Sequence, residues 1–174
     1  MAQTGPITKD TTTVALGLAQ IRVGASAANV TSENPVLAAS DSIGALADTK
    51  FTGETDWYRL ESGYPLREDA AFPIREKAML EASFKEITPA NMAIAYGLDP
   101  NVEPYASMDV HSGEVPLGNR STPAFIRMEA IYTYPDGTNT MNIIFPRAQA
   151  TANVEIDMSA EEAAAVPVVF EAKR

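Results

Sequence analysis

The chain has no cysteine and a single histidine, His111, among its 174 residues. Without cysteine it cannot use thiolate catalysis, bind zinc or an iron–sulfur cluster through sulfur, or build a disulfide framework. One histidine excludes metal sites that need several imidazoles and leaves a serine–histidine–acid triad only one possible base. The sequence therefore excludes several common classes of metal and nucleophilic chemistry.

Basic residues and long apolar runs are also scarce. The 13 Lys and Arg stand against 23 Asp and Glu, which gives a formal net charge of −10. Because nucleic-acid binding depends on counterion release by a basic surface, this acidity argues against a general DNA- or RNA-binding protein. It argues equally against docking on anionic lipid. No apolar stretch approaches 18 residues, and the N-terminus lacks the apolar core of a signal peptide. We expect a soluble protein with no membrane contact.

The residues that are present predict one folded, β-rich domain. Hydrophobic residues make up 45% of the chain, and the dominant periodicity is two, as in half-buried strands. The clearest feature is a hairpin over 124–145 with a Pro-Asp-Gly-Thr turn at 135–138. The other predicted strands are 11–23, 42–52, 56–61, 74–87, 152–158 and 168–172.

One short helix is predicted over 89–96. Thr88 suits the N-cap, Pro89 suits the first helical position, and Gly97 suits the end of the helix. The helix carries little charge, so we expect it to pack on the sheet through apolar and aromatic side chains. These side chains are Met92, Ile94 and Tyr96. A capping pair, Ser159 and Glu162, predicts a second helical turn.

Three segments lack periodicity and predict long loops, near 24–36, 61–73 and 98–123. Loops as long as the last are usually functional or packed on a neighbour. No linker or internal repeat divides the chain, so residues 1–174 are expected to form a single domain.

No motif of known catalytic or cofactor chemistry is present. Asp109, His111 and Ser112 are adjacent in sequence, but adjacency does not make a triad. Paired carboxylates could serve glycoside hydrolysis, although chance pairs are expected among 23 acids. The pairs are Glu54/Asp56, Glu68/Asp69, Glu155/Asp157 and Glu161/Glu162. We predict no catalytic, cofactor-binding or metal-binding residue.

Aromatic residues cluster around a proline-containing segment. Trp57, Tyr58, Tyr64 and Phe72 fit either a sugar-stacking platform or anchors that hold a loop to the subunit's own core or to a partner. The sequence leaves these alternatives open.

Several segments together resemble the major tail tube proteins of long-tailed bacteriophages. The first is Asp-Trp-Tyr-Arg-Leu-Glu-Ser-Gly-Tyr-Pro-Leu at 56–66, which leads to the long strand predicted at 74–87. The second is Phe-Lys-Glu-Ile-Thr-Pro-Ala-Asn-Met-Ala-Ile-Ala-Tyr-Gly-Leu at 84–98, a strand that runs into a Thr-Pro-Ala-Asn helix. Gly-Ala-Leu at 44–46 and Val-Pro-Val-Val-Phe-Glu-Ala at 166–172 are similar to the family's strand entry and closing strand.

The resemblance implies a β-sandwich or barrel with a flanking helix and an N-terminal arm at 1–10. It implies a non-enzymatic structural protein that forms homohexameric rings, and these rings stack into the tail tube through which the genome leaves. Tape measure, terminator and tip proteins would be further partners. The protein would be made in the host cytoplasm and reside in the virion tail. DNA would pass without specific binding, and an acidic wall would repel it.

The segment 61–73 is the predicted contact between rings, since aromatic, Leu and Arg side chains are typical of interface cores. Its candidate residues are Tyr64, Leu66, Arg67 and Phe72. Alternative functions are another ring-forming component, such as a tail terminator or a contractile-system tube, and a carbohydrate-binding or adhesin β-sandwich. An acid-pair hydrolase is the weakest alternative.

Overall fold

The computed structural model describes residues 17, 19–25, 34–98, 114–115, 124–151, 153–156 and 164–173. They form one antiparallel sheet with the strand order β1-β4-β5-β6-β3-β2 and one α-helix. The elements are β1 Gln20–Ala25, β2 Leu46–Ser62, β3 Arg67–Phe84, α1 Pro89–Ala95, β4 Ile126–Thr133, β5 Thr140–Ala150 and β6 Val166–Ala172, with a 3₁₀ turn at Ala39–Asp41. The predicted mainly-β fold with one short helix is confirmed.

The sheet curls strongly and its two ends meet. The rings of Phe51 on β2 and Phe145 on β5 have centroids 6.5 Å apart, although β3 and β6 lie between these strands. In a flat sheet the two strands would be about 14 Å apart. Ser42, just before β2, forms an antiparallel bridge with Arg22 of β1, and the Ile43 N–H donates to the Ile21 carbonyl over 3.0 Å. This pairing, termed the seam, gives the sheet a barrel-like shape.

The inner face of the curled sheet carries the core. Alternate residues of each strand point inward, which is why the sequence shows a period of two. The largest fully buried apolar side chains are Ile21, Phe84, Ile126, Met128, Val166, Val168 and Phe170. This packing is the main source of stability, because burying each such side chain contributes about 1.5–3 kcal/mol.

The helix begins and ends as the sequence predicts. The Thr88 hydroxyl accepts the Asn91 N–H over 3.1 Å, which caps the N-terminus. Gly97 has φ +71°, and its N–H donates to the Ile94 carbonyl while the Leu98 N–H reaches the Ala93 carbonyl. This is a Schellman ending, which favours glycine.

The three predicted packing residues of α1 differ in burial. Ile94 is part of the buried core, and Met92 packs against that core while remaining partly exposed. Tyr96, the C-cap residue, is half-buried.

Helix α1 is tied to the start of β2 by one amide. The Asn91 side-chain Nδ2 donates to the Ile43 carbonyl over 2.9 Å and to the Glu86 carbonyl over 2.7 Å. The Glu86 carboxylate in turn accepts the Ala45 N–H over 2.9 Å. Gly44 has φ +86°, and a Cβ there would lie 2.3 Å from the Glu86 carboxyl carbon. Only glycine therefore fits without a shift at this junction.

Several strand predictions are confirmed, with changed bounds. The hairpin at 124–145 corresponds to β4 and β5, and the closing strand lies within β6. Residues 46–52 of the first candidate and all of 56–61 are parts of the single strand β2, and residues 74–84 of the strand predicted at 74–87 belong to the longer β3. Of the strand predicted at 11–23, residues 20–23 lie in β1, while 11–16 and 18 are outside the described residues.

The strand predicted at 152–158 is wrong where the structure describes it. Residues 153–156 have no strand structure, yet Val154 and Ile156 pack against the core as partly buried side chains. An irregular segment that packs on the core can therefore show the same alternation of apolar and polar residues as a strand. The helical turn predicted at 159 is outside the described residues.

The loop predicted at 61–73 is also wrong. Only Gly63–Leu66 form a turn, and β3 begins at Arg67. Pro73 is in β3 and faces Trp57 next to a bulge, where an open strand edge tolerates the missing N–H. Most of 24–36 and 98–123, and all of 1–10, lie outside the described residues.

Candidate interaction surface

Strands β2 and β3 extend far beyond the rest of the sheet. They pair with each other from Leu46–Phe84 to Ser62–Arg67, but β3 pairs with β6 only over Met79–Phe84. Residues 53–76 therefore form a two-stranded projection, here termed the ribbon. No other described element covers the ribbon, and nearly all of its residues are exposed. At about 3.3 Å per residue, its tip lies roughly 33 Å from its base.

The ribbon carries seven of the eleven large apolar side chains that are exposed among the described residues. Tyr64 at the tip is 103% exposed. The others range from 43% to 71% exposed and are Trp57, Tyr58, Leu60, Leu66, Phe72 and Ile74. Contiguous apolar surface of this kind marks an interaction site in a folded protein.

These side chains occupy both faces of the ribbon. Tyr58 pairs with Phe72, and Leu60 pairs with Ala70. Cross-strand partners lie on the same face of a sheet, and so do residues two positions apart on one strand, so these four residues share one face. Trp57 pairs with Pro73 and so lies on the opposite face. A partner that covered one face would leave the other face exposed.

Polar contacts brace the ribbon without burying it. Arg59 and Glu68 form an exposed ion pair with a 2.7 Å N–O distance, and the Ser62 hydroxyl donates to Asp69. Exposed pairs contribute at most about 1 kcal/mol, and a two-stranded hairpin is only marginally stable alone in water. The ribbon is therefore an element whose stability would rise when a partner covers it.

All four predicted ring-contact residues lie on the ribbon. Tyr64 and Leu66 are in the turn at the tip, and Arg67 and Phe72 are in the first part of β3. The alternative that the aromatics anchor a loop to the subunit's own core is wrong for the described structure, because Tyr64, Phe72 and Trp57 are all more than half exposed.

Sequence reasoning missed two exposed apolar residues of the ribbon, Leu60 and Ile74, and named Trp57 and Tyr58 as possible partner anchors but not as ring-contact residues. They belong to segments predicted as strands, and a strand residue is expected to face the core. The usable signal was that apolar residues fall at both odd and even positions between 57 and 74.

The two carboxylate pairs that the structure describes in full, Glu54/Asp56 and Glu68/Asp69, lie on exposed strands of the ribbon and do not line a cleft. Glu54 and Asp56 share one face of β2, opposite Lys77 and Arg75 in the register. Glu155 is exposed on an irregular segment. Asp157, Glu161 and Glu162 are outside the described residues, as are Asp109, His111 and Ser112.

The part of the chain that the structure describes contains no group of three or more possible metal ligands. In the same part, no helix is long and apolar enough to cross a membrane.

A buried ion pair on β4 was not anticipated from the sequence. Arg127 is 1% exposed and Glu129 is fully buried, with 2.6 Å between Arg127 Nε and Glu129 Oε1. The Glu129 carboxylate also accepts the N–H of Val36 (2.9 Å) and of Leu37 (3.1 Å). The sequence could not show that residues 34–38 cover the face of β4 that carries both side chains.

The environment of Glu129 favours its charged form. Burial alone would raise the pKa of this carboxyl group, but the Val36 N–H, the Arg127 guanidinium and the Leu37 N–H together outweigh burial and hold the pKa below its ordinary value. The carboxylate thereby clamps residues 34–38 onto the back of the sheet.

The chain matches no protein-family model, and a search of curated proteins also finds no match.

Proposed function

We propose that this protein is a self-assembling structural subunit, a tail tube protein whose hexameric rings stack into the channel for phage genome delivery. The observation that carries this proposal is the ribbon, a long projection with apolar side chains on both faces and with open strand edges. The sequence resemblance supplies the class of assembly. The proposal includes the further partners, the virion tail location and the absence of enzymatic activity that the resemblance implies.

The ribbon suits a second copy of the chain better than a small ligand. The groove at its base, between Glu54, Glu76 and Lys173, is open to solvent, and the ribbon's exposed aromatics lie along some 30 Å rather than around one point. A contact between a projection and another surface is heterologous, and heterologous contacts generate rings or open-ended stacks.

The central experiment is negative-stain electron microscopy with measurement of the mass in solution. Wild type is compared with Tyr58→Ser/Phe72→Ser, which removes one apolar face of the ribbon. The matched control is Val36→Ser/Ile87→Ser, which removes two exposed apolar side chains elsewhere. We expect rings or tubes from wild type and control, and a folded monomer from the ribbon variant.

Three results would contradict the proposal. Tubes from the Tyr58→Ser/Phe72→Ser variant that match wild type would exclude the ribbon as the assembly contact. A wild-type monomer that binds glycans through Trp57 and Tyr58 and never assembles would instead favour the adhesin class. Single rings that never stack would favour a tail terminator.

A further inference from the structure

An apolar pocket lies inside the curled sheet, between β2 and β3 on one side and β4 and β5 on the other. Its volume is about 170 Å³. Its larger apolar lining residues are Phe51, Leu80, Tyr132, Met141 and Ile143. Phe51 is 51% exposed and Met141 is 42% exposed, so these two side chains mark the mouth of the pocket.

The pocket has the size of one aromatic ring. An apolar cavity of about 150 Å³ binds benzene, and this pocket is slightly larger. Its lining contains one charged residue, Lys50, whose side chain is 69% exposed and lies 3.5 Å from Glu81. A ring that enters the pocket therefore buries no charge, which would be costly.

Tyr64 at the tip of the ribbon presents a ring of this size. Its side chain is 103% exposed, so no described residue covers it, and the adjacent Pro65 and Leu66 carry no charge. A side chain in a turn can project beyond the backbone of both strands, whereas the ring of Tyr58 lies beside its cross-strand partner Phe72. Among the aromatic rings of the ribbon, Tyr64 is the one best placed to enter a pocket.

We propose that Tyr64 of one copy of the chain inserts its ring into this pocket of a second copy. The inference rests on the proposed function and names the surface that receives the ribbon. The inserted ring leaves water and covers Phe51 and Met141. A tyrosine that fills a pocket is typical of the few residues that dominate the affinity of an interface.

The geometry requires a second copy. Phe51 and Leu80 are register partners in the pocket, and the tip of the same ribbon lies about 35 Å from them along the strands. Tyr64 of the same chain is fully exposed and so does not occupy the pocket. A projection and a pocket at separate places on one molecule make a heterologous contact, which can repeat from copy to copy.

Two variants test the two halves of the contact. Tyr64→Ala removes the ring, and Ala19→Phe fills the pocket from within, because Ala19 is a partly buried lining residue. We expect each variant to raise the protein concentration needed for assembly at least about tenfold. Met141→Glu, which places a charge at the mouth, blocks the pocket in a second way if Ala19→Phe does not fold.

Each variant has a matched control. Tyr64→Phe keeps the ring, and Ala47→Phe adds a ring at an exposed position of β2 that does not line the pocket. Both controls should assemble at the wild-type concentration. Circular dichroism and the unfolding midpoint establish that every variant is folded.

A mixture of the two variants provides the most specific measurement. Ala19→Phe keeps its Tyr64 ring, and Tyr64→Ala keeps an open pocket, so a contact between the two variants remains possible. We expect the mass in solution to show complexes that contain both variants and that neither variant forms alone.

The outcomes separate this inference from the proposed function. Hollow tubes from Tyr64→Ala at the wild-type concentration would overturn the inference while the tube function stands. Solid filaments from wild type that Tyr64→Ala abolishes would overturn the tube function and leave the inference standing. A wild type that stays monomeric at every concentration would overturn both.

One further result would assign the pocket to a different occupant. Residues 1–16 precede the lining residue Gly17. If Ala19→Phe strongly lowers the unfolding midpoint while Tyr64→Ala assembles like wild type, the pocket belongs to the chain's own N-terminal residues, and the inference is overturned.

Discussion

Glu129 shows how a single side chain can hold a segment that has no regular structure. Its carboxylate accepts two backbone N–H groups of residues 34–38 while it neutralises Arg127. Arg22 completes the attachment by donating to the Leu37 carbonyl over 2.8 Å. A buried charge that loses its partner is costly, so these contacts are expected to matter more than those at the surface.

Replacing Glu129 by Gln is expected to lower the free energy of unfolding by about 3 kcal/mol at neutral pH, because Arg127 would stay buried without a counter-charge. Denaturant unfolding measures the change. The control Glu155→Gln, at an exposed acid, should stay within about 0.5 kcal/mol of wild type. A loss equal to that of the control would show that the pair contributes nothing.

The same variant has a predicted pH dependence. The folded pKa of Glu129 lies below the ordinary 4.5, so its ionisation stabilises the fold above about that pH. This stabilisation is lost as pH falls through the folded value. The difference between wild type and Glu129→Gln should therefore narrow in acid, and a difference that grew in acid would contradict the assignment.

At the scale of elements, the ribbon is separable from the core. None of its residues belongs to the buried cluster, and β2 and β3 remain paired below it. A deletion that tests the ribbon must shorten both strands equally. Deleting 64–72 would remove about half of the β3 residues in the ribbon and leave the facing residues of β2 unpaired.

Replacing residues 56–75 by Asn-Gly should join Thr55 to Glu76, which are register partners, through a tight turn, since this dipeptide favours two-residue hairpins. We expect an unchanged circular dichroism signal per strand residue, little change in the unfolding midpoint, and no assembly. The control is the full-length Thr138→Ser variant, which changes the β4–β5 turn and leaves the apolar side chains of the ribbon intact. An unfolded product would show that the ribbon supports the core.

The sequence predicts elements best where local chemistry decides them. The Thr88 cap, the Gly97 ending and the Asp136 turn were all readable because each acts within a few residues. The burial of Arg127 and the pairing of Pro73 were not readable, because they depend on segments distant in sequence. The ribbon was predicted only in part. The residues near its tip were predicted as contact residues, but the exposure of its strands was not, because apolar residues alone do not distinguish an exposed strand from a buried one.

At the scale of the whole molecule, the seam is the shortest pairing of the curled sheet. It consists of the Arg22–Ser42 bridge and the Ile43–Ile21 hydrogen bond, and it closes the sheet between β1 and the start of β2. The Asn91 side chain of α1 donates to the Ile43 carbonyl, so the helix helps to fix the position of Ile43 in the seam.

A disulfide across the seam should stabilise the fold. The flanking hydrogen bond makes Arg22 and Ser42 a non-hydrogen-bonded pair, with Cα atoms about 4.5 Å apart, within the range a disulfide tolerates. Arg22→Cys/Ser42→Cys closes a loop of about 20 residues and should contribute about 3 kcal/mol when oxidised. Because the chain has no other cysteine, the reduced protein is an internal control for the lost Arg22 contacts. Equal unfolding midpoints for both forms would mean that the seam is not closed in solution.

The length of the ribbon has a mechanical consequence. A thin two-stranded strip of about 30 Å bends far more easily than a packed barrel of similar size. Barrels that are linked only through such strips can tilt against one another while each keeps its own shape. A polymer built in this way would curve by small rotations at every contact between subunits. Its stiffness would depend on how tightly the neighbouring subunit packs around Trp57 and the other apolar residues of the ribbon.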